Sequence, residues 1–316
     1  MRMKNSDSCP VCFSRDRSYC FEAHDRMFDF PGNFQIYKCL TCGLTYIGNP
    51  PKSKEIGKYY PKTRYYSYRD QNDDGFFGAL RNYLLLHYYQ PTIWSRLLTG
   101  FIPNVPAIPQ YQKNGIIMDI GCGTGGTLIS LGKLGWHTYG VDINANAIAI
   151  AKANGVEHAF VGTYQKLTQF PDNYFDAIRL YHVIEHLHDP GDCLKVIRRK
   201  LKKNGELIIG TPNADSLVSN IFGTYWYNLD APRHLVLFNP KTLESTIKKF
   251  GFRIQPQEFC SAGGILGSFG YVLSGKLRQK ISFLENQLFV ILMYPIEWML
   301  DKFSLGDVFV VRAFKT

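Results

Sequence analysis

Residues 115–255 predict an α/β fold, a doubly wound and mostly parallel sheet, with a small cysteine-marked module ahead of it. Three observations carry that prediction. Short apolar runs alternate with amphipathic stretches of helical period, a glycine-rich turn follows the first run, and two C-x₂-C pairs lie within the first 49 residues.

The elements follow in order. Residues 115–120 (GIIMDI) have the pattern of a short buried strand. The next helix sets Leu128, Leu131 and Leu134 on one face and ends at Gly135. His137–Asp142 (HTYGVD) is the second strand, and Asn144 is placed to cap a helix that carries Ile148 and Ala151 and closes near Gly155. His158–Val161 and residues 175–182 read as strands three and four. Leu194, Ile197 and Leu201 make a basic amphipathic helix that Asn204-Gly205 should stop, with residues 206–210 as strand five. Asn239-Pro240 opens a last helix with Leu243, Ile247 and Phe250 inward and Gly251 at its end. The expected domains are a cysteine module over 1–49, a tyrosine-rich linker or helical cap over 50–114, the α/β core over 115–255, and a C-terminal cap or extension over 256–316.

With 316 residues, 45% of them apolar and 15% aromatic, the chain can bury about two domains' worth of core and is not mainly disordered. Its net charge of +10 suits a phosphate-bearing substrate, a nucleic acid or an anionic membrane surface, and selects none of them. The longest uncharged stretches, 97–112, 259–275 and 286–296, are broken by prolines, rich in glycine, or only eleven residues long, so no transmembrane segment is expected. The basic N-terminal residues have no apolar run behind them, which predicts no secretory signal and a cytoplasmic protein. The eight cysteines are then free thiols or metal ligands rather than disulfides.

The run Asp119-Ile-Gly121-Cys122-Gly123-Thr-Gly125-Gly126 lies between the first strand and its helix, where glycines let a ligand approach the backbone. Asp142 ends the next strand, 19 residues beyond Gly123, where a carboxylate can hold both hydroxyls of a nucleoside ribose. The spacing is D-x-G-x-G-x-G rather than the G-x-G-x-x-G that seats a pyrophosphate, and an opening acid suits a cationic cofactor. From Gly115 to Phe252 the sequence resembles the Rossmann-like class I S-adenosylmethionine-dependent methyltransferases. That resemblance implies S-adenosylmethionine held by Gly121, Cys122, Gly123 and Gly125, with Asp119 orienting the loop, Asp142 on the ribose and Ile143 against the adenine. Tyr181, at the end of strand four, joins the same set. Many relatives place an acid after strand three, but this chain has Val161-Gly162-Thr163, leaving the Thr163 hydroxyl for the adenine amine.

After strand four the chain reads Leu180-Tyr-His-Val-Ile-Glu-His-Leu-His-Asp-Pro190. The N/D-P-P-Y/F tetrapeptide of enzymes that methylate base amines is absent. The segment is similar to small-molecule methyltransferases, including the ubiquinone-biosynthesis O-methyltransferases, whose acid-x-x-Glu-His run can bind a divalent ion; His182 stands in the first position here. Three readings stay open. His182 and Glu185 form a base and its orienting carboxylate, His182, Glu185 and His186 hold a metal, or Glu185 and His186 brace the sheet edge. Downstream, Trp226 and Asp230-Ala-Pro-Arg233-His234-Leu lie in a long connection. Its pattern resembles methyltransferases of surface-polysaccharide or glycolipid synthesis. Arg233 is placed to clamp an anionic acceptor and His234 to take its proton, or else the loop packs on the sheet. Between the two histidines, His234 is the favoured base.

Cys9-Pro-Val-Cys12 and Cys39-Leu-Thr-Cys42 are separated by 26 residues and supply four thiolates, a closed shell for one structural zinc ion in a zinc ribbon. Sugar C-methyltransferases of deoxysugar pathways join a similar module to a similar core. The segment from Tyr59 to Tyr68, five tyrosines in ten residues, either closes over the cofactor or packs between domains. The partner expected is a small-molecule acceptor, anionic or sugar-linked. A homodimer and a peripheral membrane contact through the amphipathic 283–303 stretch are both compatible with the pattern. The rival function is a ribbon that binds RNA with a core that modifies it; few basic residues interleave with aromatics in the ribbon, which argues against nucleic acid.

Overall fold

In the computed structural model, residues 8–61, 80, 83–99, 107–261, 263–277, 281–283 and 287–316 are described. The parallel part of the central sheet comprises β4 (Ile116–Ile120), β5 (His137–Asp142), β6 (His158–Val161), β7 (Phe175–Tyr181) and β8 (Leu201–Pro212). It continues into β12 (Val308–Lys315) and β10 (Phe252–Ile254), giving the order β10-β12-β8-β7-β4-β5-β6, with β11 (Glu258–Phe259) beside β12. β5 lies to one side of β4 and β7 to the other, so the strand order reverses at β4. Ligands of open α/β sheets bind at the carboxyl ends of strands beside such a reversal.

Local chemistry explains the helices. Gly125, at φ 83°, opens the helix Gly126–Lys133; a Cβ there would strike Val156 and Ala151, so only glycine lets this turn pack on the neighbouring helix. The Asn144 side chain accepts the amides of Asn146 and Ala147 at the start of Ala145–Ala153. Asn239 and Thr242 form a reciprocal capping box on Pro240–Lys249.

Two expected boundaries move. The basic helix ends at Lys200, and Leu201 already pairs with Phe175 in the sheet. Asn204, at φ 59°, and Gly205 therefore bend the strand instead of stopping the helix, and the β7–β8 register shifts there. Burying Leu201 between strands outweighs the local turn propensity of Asn-Gly. Strand four stops at Tyr181, because His182 turns away at φ 55°.

The sheet also reaches beyond residue 255. β12 pairs antiparallel with β8 from Val308 to Phe314 and with β10, so a strand expected in a C-terminal extension is an interior strand of the core. The cysteine module is equally joined to it. Its sheet, β1 (Arg17–Ala23), β2 (Phe34–Cys39) and β3 (Thr45–Ile47), is completed by β9 (Val236–Leu237) from the long connection after β8. Cys9, Cys39, Leu44 and Tyr46 share one buried cluster with Val236, Phe238 and the core of the central sheet. Among the described residues, no helix is long and apolar enough to cross a membrane.

Candidate functional site

The loop after β4 is tied to the end of β5. Gly123 donates its amide to Asp142 Oδ2 at 3.0 Å, and Asn144 donates to Asp142 Oδ1 at 2.8 Å. Burial pushes the Asp142 carboxyl up, and the amides of Asn144, Gly123 and Ile143 pull it back. Each oxygen keeps lone-pair capacity for a ligand hydroxyl. Gly121 (φ 76°) leaves no room for a Cβ, which would collide with Val183. Asp119 is buried one strand position deeper and accepts both of its hydrogen bonds from Arg179 Nη1, at 3.0 and 2.9 Å. Its anchor is thus the neighbouring strand β7, not a loop amide. The Cys122 thiol turns beneath the loop against Gly140, and burial raises it.

Gly121, Asp142, Ile143, Thr163, Tyr181 and His182 line one cavity of about 470 Å³, within the range of small-molecule sites. Ile143 is 58% exposed beside Asp142, an apolar platform with nothing of its own to pack on. The cavity is also lined by Tyr60, Tyr164, His186 and Asp189. Among the described residues, its walls hold two carboxylates, Asp142 and Asp189, and no lysine or arginine. That lining fits a cationic nucleoside cofactor and offers nothing to a pyrophosphate. Asp119, Cys122, Gly123 and Gly125 are not among the residues that line it. Thr163 Oγ1 accepts the Gln165 amide at 3.3 Å while its side chain faces the cavity edge.

Beyond β7, His182 is held in the left-handed region, its amide bonded to the Gly210 carbonyl at 2.9 Å. Its Nδ1 meets Glu185 Oε1 at 3.1 Å, and the Thr211 hydroxyl donates to Glu185 Oε2 at 3.0 Å. Burial would raise the Glu185 carboxyl, but the bond to His182 and the imidazoles of His182, His186 and His234 outweigh it and bring it to about 2. His186 is brought down to about 4 by burial and by its neighbour His234. Its Nδ1 faces the Arg233 carbonyl at 3.0 Å and the Tyr60 hydroxyl at 2.9 Å.

The Arg233-His234 pair does not reach this cavity. Arg233 is fully buried and forks onto Asp25 and Asp230, with Nη2 at 2.7 and 2.6 Å from their oxygens. It clamps the N-terminal module to the core rather than an acceptor anion, because two buried carboxylates already satisfy it. His234 is 2% exposed, with Nδ1 at 2.7 Å from the Asn228 carbonyl. Among the described residues, the carboxylate and imidazole side chains that gather as a group of three within 4.8 Å are Glu185, His186 and His234, whereas the set read from the sequence was His182, Glu185 and His186. His182 is instead the partner of Glu185.

Tyr60, from the tyrosine-rich segment read as either closing over the cofactor or packing between domains, walls the cavity, together with Ser53 and Ile56, which the sequence did not single out. The tyrosines at 65, 66 and 68 lie outside the described residues. Asp189 was not singled out in the sequence; it caps the helix Pro190–Lys200 by accepting the Asp192 amide at 2.9 Å.

The four cysteines of the N-terminal block meet as two pairs. Cys9 and Cys42 sulfurs are 3.6 Å apart, Cys12 and Cys39 sulfurs 3.4 Å, and all four lie within 4.8 Å. Four thiolates around one ion at about 2.3 Å would stand roughly 3.8 Å from one another, so small adjustments would seat a tetrahedral ion.

Residues 87–257 match the family profile described as a methyltransferase domain. Among curated proteins the chain is 28% identical over 165 residues to a ubiquinone biosynthesis O-methyltransferase of Aeromonas salmonicida, covering 50% of this chain and 65% of that one. It is 31% identical over 112 residues to the enzyme of the same name from Colwellia psychrerythraea, covering 32% and 45%. The chain therefore spans about half to two-thirds of the length of these relatives. Among solved structures it is similar to phosphoethanolamine N-methyltransferase 2 of Haemonchus contortus, crystallised with S-adenosyl-L-methionine, with 18% identity, a TM-score of 0.49 and coverage of 86% and 61%. A SAM-dependent methyltransferase of Archaeoglobus fulgidus gives 22% identity, a TM-score of 0.47 and coverage of 74% and 99%. The profile takes in more than half of the chain, and the doubly wound sheet carries its glycine loop, terminal acid and cation-compatible cavity in register; the chain belongs to the methyltransferase domain family and has the Rossmann-like fold of the class I S-adenosylmethionine-dependent methyltransferases.

Proposed function

We propose that the chain methylates an oxygen or carbon atom of a small-molecule acceptor, of the class of sugar or surface-polysaccharide and glycolipid precursors, in the cytoplasm. The observation that carries the reading is the cavity that pairs Asp142 and Asp189 with His182 and lacks any cationic side chain among the described residues. Bound there, S-adenosylmethionine supplies an electrophilic methyl on a sulfonium. Asp142 would hold its ribose and Ile143 its adenine, and Tyr181, packed against Gly210, lines the same cavity.

His182 is the proposed base. Glu185 takes one ring nitrogen and fixes the tautomer, leaving Nε2 to accept the acceptor proton, and Glu185 stays ionised to stabilise the imidazolium that results. A hollow of about 520 Å³ adjoins the cavity through Ser53, Leu187 and His188. Tyr46, Pro50, Pro51 and Val236 wall it, so the cysteine module forms one side of the acceptor's approach. His234 supports the segment from behind, and a structural zinc on Cys9, Cys12, Cys39 and Cys42 keeps that side in place.

Titration calorimetry tests the cofactor: S-adenosylmethionine should bind and NAD should not. NAD binding without any response to S-adenosylmethionine would end the reading.

A further inference from the structure

The helix Gln287–Lys302 is built inside out. Leu288, Leu292, Ile296 and Met299 recur at helical spacing and continue to Phe303, and all five are exposed, Leu288 and Leu292 at 61% and Phe303 at 70%. Phe289, Ile291 and Trp298 flank the stripe and are exposed as well. The two acids of the helix point the other way. Glu297, 3% exposed, accepts the amides of Gly263 and Ile265 at 2.8 and 3.3 Å, and Asp301 accepts the Ser261 hydroxyl and amide. Glu297 satisfies amides at the start of the preceding helix, Gly264–Leu277, and Asp301 ties down Ser261 ahead of it, which explains why both acids are turned inward. Nothing comparable explains why eight large apolar side chains are outside.

The patch extends onto the preceding helix. Phe283 bridges Phe269 and Phe289, with ring centroids 5.9 and 5.3 Å away, and Leu277 is 63% exposed. Among the described residues its charged rim is basic. Lys276 is exposed at one helix end, and Lys302 at the other lies 5.4 Å from the Trp298 ring, while the acids Glu297 and Asp301 are withdrawn. A continuous apolar face with tryptophan and a basic rim is complementary to anionic headgroups over acyl chains. Two copies pairing through this face would set the same basic rim against itself. At sixteen residues the helix is about 24 Å long, too short to span and suited to lying flat.

We propose that the outer face of Gln287–Lys302, with Phe269 and Leu277, inserts into the headgroup layer of an anionic bilayer and holds the protein at a lipid surface. The inference rests on this face alone and stands or falls separately from the methyl acceptor.

Flotation with the full chain tests it. Vesicles of phosphatidylcholine containing about one quarter phosphatidylglycerol should carry the protein up, and vesicles of phosphatidylcholine alone should carry far less. Leu292→Glu with Met299→Glu should weaken partition about ten-fold or more, with S-adenosylmethionine affinity and thermal unfolding unchanged because both side chains are exposed. Lys276→Glu and Lys302→Glu should each cost about five-fold on anionic vesicles. Vesicles should shift the tryptophan emission to the blue, and Trp298→Phe should remove that shift. Failure of the unaltered protein to float, or equal flotation of the Leu292/Met299 variant, overturns the proposal. So does a dimer that the same variant splits without any vesicle binding, since the occupant is then a second copy.

Discussion

Asp142 illustrates how much one side chain carries. Both of its oxygens accept backbone amides that shape the cofactor cavity, and they face that cavity as well. Asp142→Asn turns one acceptor into a donor opposite an N–H and removes the charge. S-adenosylmethionine affinity should fall about 10–100-fold, the loss of charge-assisted bonds worth roughly 1.5–3 kcal/mol, and calorimetry reads this directly. The two histidines separate by what they touch. His182 lines the cavity in a left-handed conformation, a strained placement that its bond to Glu185 and the Gly210 carbonyl maintain. His182→Gln should lower kcat by roughly 10²–10⁴ with cofactor affinity nearly unchanged. His234→Gln, in a buried setting, should show mainly as a lower unfolding temperature. Full turnover in His182→Gln would remove it as the base.

At the scale of elements, the connection after β8 is a structural keystone rather than a free lid. It contributes β9 to the N-terminal sheet, sends Arg233 onto Asp25, and packs Trp226 Nε1 on Asp307 at 2.6 Å beside the start of β12. Arg233→Met leaves Asp25 and Asp230 buried without a counter-charge, and should destabilise the chain by about 3–5 kcal/mol in denaturant unfolding. The exposed pair Lys248–Glu244 is the control, since breaking it should cost only about 0.3–0.5 kcal/mol. The zinc ion proposed on Cys9, Cys12, Cys39 and Cys42 would hold the cysteine module in the same way. Protein prepared without added zinc should carry one ion per chain by metal analysis, and Cys39→Ser should release it and loosen β2 and β3. A folded, metal-free preparation would refute the site.

For the whole molecule, acid should be the destabilising direction. His186 is neutral in the fold, its pKa brought from 6.5 to about 4, so its contribution is complete above pH 6.5 and is lost as pH falls toward 4. Glu185, brought from 4.5 to about 2, acts in the same sense: its stabilisation is present above pH 4.5 and lost below it. Urea unfolding at a series of pH values should show roughly 2–3 kcal/mol lost between pH 6.5 and 4, and His186→Gln should flatten that slope.

The strands β4 to β6, the asparagine caps, the glycine loop and the cysteine pairing were all readable in the sequence, because each depends on neighbours a few residues away. Apolar period, cap chemistry and C-x₂-C spacing are local. The pairings that cross the chain were not. Nothing near residue 308 says that β12 will lie between β8 and β10, since a mostly apolar run of eight residues, interrupted by Arg312 and closed by Lys315, fits an extension or an interior strand equally well. Asp-x-x-Arg-His reads alike as an acceptor clamp and as a buried ion pair, and Asp25, 208 residues away, decides between them. Local rules thus determined the α/β fold, its glycine loop and its terminal acid. Which histidine faces the cavity, and which helix turns its apolar side to solvent, depended on long-range burial, and only the tertiary structure decided them.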